Sequence, residues 1–144
     1  MNRRYPILLL TLLLAGCAGL PLGREARVLD ADEVHRLFTD RTVESYNRNT
    51  GLTSFTYYRP DGRVLQRRFW SWRSGSWRVR PDGRICLKFR TERCRRIVAE
   101  GDRYYKIAGR DPQAKRLVRY RQFLPGNHIA PPGGRWPRGP VFRP

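Results

Sequence analysis

Hydrophobic positions along the chain fall into three patterns. Ile7 to Leu14 form a continuous apolar run interrupted only by Thr11, far short of the about 20 residues that cross a bilayer. From Asp30 to Phe38 the spacing becomes helical, with Val34, Leu37 and Phe38 on one face. Asp30 can cap that helix, and Glu33, three residues on, completes a capping box. So short a helix is marginal alone and must pack on something. From Thr42 to Phe123 the pattern changes again, to short apolar and aromatic runs between turn signals. These predict strands at Thr42–Tyr46, Thr53–Tyr58, Val64–Trp70, Ser76–Val79, Arg84–Phe89, Arg93–Val98 and Arg103–Ile107. Leu117–Phe123 reads as a further strand or a short helix.

The string Arg-Pro-Asp-Gly-Arg occurs at 59–63 and again at 80–84. Proline presets φ for the second turn position and glycine accepts the left-handed conformation that closes it, so both copies predict hairpin turns. Their spacing suits a strand-turn-strand meander. The fold class expected is mainly β: an antiparallel meander forming an open sheet or partial barrel, with one short N-terminal helix. Residues 30–124 make this β-rich domain. The last 20 residues, 125–144, hold six prolines and four glycines, a composition expected to form a disordered basic tail.

The apolar run near the N-terminus changes meaning with its flanks. Arg3 and Arg4 precede it, and the small residues Ala15 and Gly16 lead into Cys17, the layout of a secretory signal. Leu14-Ala15-Gly16-Cys17 resembles the lipobox of bacterial lipoproteins. That resemblance implies cleavage of residues 1–16, diacylglycerol and acyl chains (palmitate among them) on Cys17, and a lipidated tether over 17–29. It implies an exported protein held at the cell envelope. Ala18, where an aspartate would retain a lipoprotein at the inner membrane, implies the periplasmic face of the outer membrane. Each buried methylene contributes about 0.8 kcal/mol, so two or three chains anchor firmly where one would not.

Charge sets the expected partners. Thirty Lys+Arg against twelve Asp+Glu give +18, and loss of Arg3 and Arg4 with the leader leaves +16. Such a field attracts polyanions in a salt-dependent way. At the envelope the polyanions are anionic lipid headgroups, lipopolysaccharide and acidic glycan; nucleic acid is not an expected partner there. Arg67, Arg68, Trp70, Trp72 and Arg73 interleave cations with large aromatics and are the candidate anion or membrane contacts. Alternatively, Phe69, Trp77 and Trp70 fill the core while the arginines face water.

Cys86 and Cys94 are the remaining cysteines. In a hairpin centred on Arg90 they face each other, as do Lys88 and Glu92, within disulfide reach. An oxidising compartment favours the bond, worth about 2.6 kcal/mol for so small a loop. A redox pair or metal ligands are the alternatives, but the spacing suits neither. This register has one awkward consequence. It puts Arg93 and Arg95 on the face of Ile85, Leu87 and Phe89, which calls for a bulge or a sheet exposed on both sides.

Catalysis is not expected, nor any cofactor or metal. His35 and His128 bring no partner motif, and Glu33, Glu44, Glu92 and Glu100 are scattered among arginines without paired acid/base spacing. Neither a phosphate-binding glycine loop nor a nucleophilic serine motif is present. The stretch from Asp32-Glu33-Val34 through Tyr57-Tyr58-Arg59-Pro60-Asp61-Gly62-Arg63 and Gly75-Ser76-Trp77-Arg78-Val79 to Ile85-Cys86 and Cys94 resembles small bacterial envelope domains of unknown function. The resemblance implies a lipocalin-like or open-barrel sheet in which Trp77 packs and the cysteines bridge. The function expected is a non-enzymatic, lipid-anchored envelope protein contacting anionic components. The alternatives are a protein-partner module (an assembly accessory or an inhibitor of a wall-degrading enzyme) and a small-molecule carrier, which would need a real cavity.

Overall fold

The computed structural model describes residues 25–130. The expected leader, Cys17 and the first part of the tether lie outside the described residues, as does the tail from 131 onward. The elements in order are β1 (Arg27–Val28), α1 (Ala31–Phe38), β2 (Arg41–Asn47), β3 (Thr53–Tyr58), β4 (Arg63–Arg68), β5 (Ser71–Val79), β6 (Ile85–Lys88), β7 (Glu92–Glu100), β8 (Arg103–Ile107) and β9 (Arg116–Pro125). The described residues are therefore mainly β with one short helix, and every strand pairing among them is antiparallel.

The sheet closes. Consecutive hairpins run from β2 to β9, and β9 pairs with β2 on one side and β8 on the other. The expectation of an open sheet or partial barrel is corrected to an eight-stranded closed barrel. The reason lies in β9, a ten-residue strand where a strand or a helix had been open. A bulge between Glu44 and Ser45 lets it bend against β2, and closure leaves the barrel no free edge. The short β1 pairs with β7 beside Val98 and Ala99, past the end of β6.

Helix α1 closes one end. Asp30 accepts from the Glu33 amide and Glu33 accepts from the Asp30 amide, the predicted capping box. Val34 and Phe38 are fully buried. The Phe38 ring meets Tyr58, Tyr120 and Phe123 edge-on at 4.9, 5.2 and 5.5 Å, and Trp77 extends the cluster through Tyr58. Trp77 also donates its indole N–H to the Arg59 carbonyl at 2.8 Å. Edge-to-face rings of this kind add to plain burial.

Both Arg-Pro-Asp-Gly-Arg copies turn at this plugged end and make matching bonds. Arg59 and Arg80 each receive the amide of the glycine three residues on, at 3.1 and 2.9 Å. Gly62 and Gly83 take φ of 83° and 79°, conformations that cost glycine nothing. The alternate hairpins β2–β3, β4–β5, β6–β7 and β8–β9 turn at the other end, which no helix among the described residues covers.

Two of the shifted strand boundaries flank the β4–β5 hairpin. The run Val64–Trp70 breaks at Arg68, because Phe69 and Trp70 form the tip of the β4–β5 hairpin; Phe69 has φ 52°. Phe69 is 62 % exposed and Trp70 91 % exposed, so neither fills the core as the alternative reading supposed. No glycine or proline marks that turn. Strand β5 then starts at Ser71, five residues earlier than expected, since Gly75 belongs inside it.

Residues 125–130, expected to open the tail, pack on the barrel. The Gly126 amide donates to the Asp40 carbonyl, Thr42 donates to the Gly126 carbonyl, and the His128 amide donates to Thr42. Ile129 is buried. Both described ends of the chain thus leave from the plugged end.

Candidate functional site

Side chains alternate across a strand, so the pairing register states which residues share the barrel interior. Near the plug the inward set is apolar: Val43, Tyr58, Val64, Trp77, Ile85, Ile97 and Tyr120. Following the same faces toward the uncovered end, the set turns polar and then cationic. Strand β4 continues from Val64 to Gln66 and Arg68, β5 runs back from Trp77 past Gly75 to Arg73, β7 from Ile97 to Arg95 and Arg93, and Lys106 lies opposite Ile97 on β8. No acidic residue stands on an inward strand position among the described residues.

On β2 to β5 a hydrogen-bonded row marks the change from one region to the other. Arg73 donates Nε–H to Gln66 Oε1 at 2.7 Å, and Gln66 Nε2 donates to Thr56 at 2.8 Å and toward Ser54 at 3.4 Å. Ser54 and Ser45 hydroxyls meet at 3.0 Å. The Arg73 guanidinium also lies over the Phe89 ring, 3.9 Å from its centre, a cation–π contact. Gly75 makes this approach feasible: a Cβ there would run into the Lys88 carbonyl oxygen and come within 3.1 Å of Phe89.

Toward the uncovered end, mainly against β6 to β9, is a cavity of about 540 Å³. Leu87, Phe89 and Val118 give it apolar walls, and Arg93, Arg95 and Lys106 give it charge. Burial, with Arg95 and Arg73 nearby, brings the Lys106 ammonium down to about 8. Burial, with Arg68 and Arg93, brings Arg73 down to about 10. Desolvation and like charge both disfavour the protonated forms, so these cations crowd one another.

The carboxylates do not relieve that crowding. Arg27 holds Glu33, Arg59 holds Asp61, Arg78 holds Glu92, Arg84 holds Asp82, Arg116 holds Glu100 and Arg121 holds Glu44. Among the described residues none is paired with Arg68, Arg73, Arg93, Arg95 or Lys106. The side chain of Lys106 has no hydrogen bond there either, only the Tyr120 ring at 6.0 Å. A volume of this size with apolar walls and a few convergent charges has the character of a binding site.

The structure divides the five candidate contact residues. Arg68 and Arg73 face inward. Arg67 and Trp72 pair on the outer wall, with the Arg67 guanidinium 5.1 Å from the Phe55 ring centre and 5.8 Å from that of Trp72. Trp70 stands at the rim beside Phe69. Arg93, Arg95 and Lys106 had not been singled out as site residues. The signal for two of them was present in the sequence, as the mismatch of Arg93 and Arg95 with an apolar face. No bulge interrupts β6 and β7 there; the face is the interior of the barrel, where it widens into the cavity.

Cys86 and Cys94 are joined by a disulfide on the outer face, in the expected register with Lys88 opposite Glu92. The Glu92 carboxylate lies close to both sulfurs, but the sulfurs are bonded to each other and Glu92 to Arg78. His35 is exposed, bonded to Thr39 and 5.9 Å from the Trp77 ring centre. His128, expected in the flexible tail, is fixed instead by Thr42 and the Pro125 carbonyl.

No helix among the described residues is long and apolar enough to cross a membrane. No curated protein and no solved structure matches the chain. A family model described as a protein of unknown function, DUF995, matches residues 7–96. That stretch reaches from the apolar run through the helix and the hairpins to Arg96 in β7, well over half of the sequence. The chain belongs to the DUF995 family.

Proposed function

We propose that the protein is a non-enzymatic, lipid-anchored component of the bacterial cell envelope that binds an anionic envelope molecule at the open end of its barrel. The observation that supports this reading is the group Arg68, Arg73, Arg93, Arg95 and Lys106, directed into one mouth without a paired carboxylate among the described residues. Charges of one sign held together cost folding free energy, and an anion from outside offsets that cost. Phe69 and Trp70 at the rim give the same end an exposed aromatic edge, suited to the boundary between water and an amphiphilic surface.

The anchor is Cys17, by the lipobox. The tether to Arg27 spans about 35 Å when extended, and it meets the barrel at the plugged end. A lipid on Cys17 therefore joins the barrel at the end opposite the mouth.

Binding is tested with the full chain in phosphatidylcholine nanodiscs, titrated with lipopolysaccharide and with phosphatidylglycerol vesicles at low and at molar salt. The expected result is binding at low salt that weakens steeply as salt rises. Absent binding, or binding indifferent to salt, contradicts the reading; salt-resistant recovery of one protein partner favours a protein-partner module instead. For the address, Cys17→Ala is expected to free the protein from membranes, and its retention there rejects the anchor.

A further inference from the structure

We infer that the barrel mouth is a pocket for a single anionic amphiphile, with a phosphate or carboxylate group among Arg93, Arg95 and Lys106 and a short apolar chain against Leu87, Phe89 and Val118. This rests on the proposed anion-binding role and goes further, because a surface that merely attracts polyanions needs no cavity. Three observations carry it.

The first is the mixed lining. A site for free phosphate is walled by donors, whereas four of this cavity's eleven lining residues, Leu87, Phe89, Leu117 and Val118, are aliphatic or aromatic. A bare polyanion would leave those walls wet. A ligand with a charged end and a few carbons satisfies both surfaces at once.

The second is the state of Lys106. It is half-buried on β8, faces Arg95 from β7 and Arg73 from β5, lies over the Tyr120 ring from β9, and has no hydrogen bond among the described residues. A lysine so placed weakens the empty barrel and gains most from an anion. Arg95 spends one donor on the Cys94 carbonyl at 3.2 Å and keeps others, and Arg93 has none engaged among the described residues. Guanidinium groups present several N–H donors in a fork that matches phosphate and carboxylate oxygens.

The third is the extent of the space. On β2 to β5 the interior is taken up by the bonded row of Arg73, Gln66, Thr56, Ser54 and Ser45, and toward the plug by the aromatic cluster. The cavity is confined mainly to the β6 to β9 side of the mouth, and the chain that fits is short.

The test titrates the full chain in phosphatidylcholine nanodiscs with hexyl phosphate, inorganic phosphate, hexanol and phosphatidylglycerol vesicles, comparing the native protein with Lys106→Met and Arg95→Met. Hexyl phosphate is expected to bind at least about tenfold more tightly than inorganic phosphate, each methylene adding to the anion contact. Hexanol is expected not to bind. Lys106→Met should keep a melting temperature at least equal to that of the native protein and lose at least about tenfold in affinity for hexyl phosphate. Equal affinity for the two phosphates, lost in both variants, overturns the amphiphile while leaving the anion site standing. Vesicle binding that both variants retain, without hexyl phosphate binding, also overturns the pocket and moves the anion contact to the outer wall. No binding of any anion removes the inference together with the function it rests on.

Discussion

At the scale of single residues, Lys106 sets the proposed anion binding against stability. Its ammonium has an ordinary value of 10.5 and stands at about 8 in the folded protein, first through burial and then through Arg95 and Arg73. Between those values the unfolded chain binds a proton that the folded one does not. The penalty is therefore complete below about pH 8, and stability rises as pH climbs toward 10.5. Lys106→Met keeps a similar shape without the charge and is expected to stabilise the protein by about 1–2 kcal/mol near neutral pH. Urea denaturation of both proteins checks this, and their difference should shrink as pH passes from about 8 to 10. A difference that stays constant or grows would place the ammonium in water. Tyr58 and Tyr120 are also raised by burial, and taking the difference between the two proteins removes their common effect.

At the scale of elements, Gly75 in β5 controls how closely β6 approaches. A side chain there meets the backbone oxygen of Lys88, which cannot move without breaking the ladder that holds the Cys86–Cys94 hairpin. Gly75→Ala is expected to cost about 2–3 kcal/mol, with loss of the Arg73–Phe89 stacking. Native stability by denaturation together with an unchanged Phe89 environment by NMR would contradict this. The same strand shows where sequence patterning loses its hold. Thr53–Tyr58 and Arg103–Ile107 match expectation residue for residue, because turn-forming residues bound them. Helix α1 was legible from Asp30, Glu33 and its apolar spacing. The β4–β5 tip was not, since Phe69-Trp70 reads as strand and only the tertiary path imposes a turn on it. Ser74-Gly75 falls before the expected strand at Ser76, yet the glycine lies inside β5 and serves close packing. Barrel closure was illegible for a related reason: the pairing of β9 with both β2 and β8 joins residues far apart in sequence, which local spacing does not encode.

At the scale of the whole molecule, the barrel has two ends of opposite character. One is filled by Phe38 and its aromatic neighbours and receives both described ends of the chain; the other holds a cavity ringed with cations that no described carboxylate pairs. The inward faces run continuously between them, so a single sheet carries both the core and the site. Arg93 and Arg95 were recognisable in the sequence as misplaced on an apolar face, and such local contradictions are where function is expected to reside. Nothing local pointed to Lys106, which reads as one of many surface cations until β8 is paired with β7 and β9. The most direct measurement is therefore the titration of Lys106 itself, followed by NMR of its labelled side chain with and without saturating hexyl phosphate. Titration near pH 8 in the free protein, moving upward when the anion is present, is the predicted result. Titration near 10.5, unmoved by the anion, would mean that this lysine is solvated and that the barrel mouth is not the site described here.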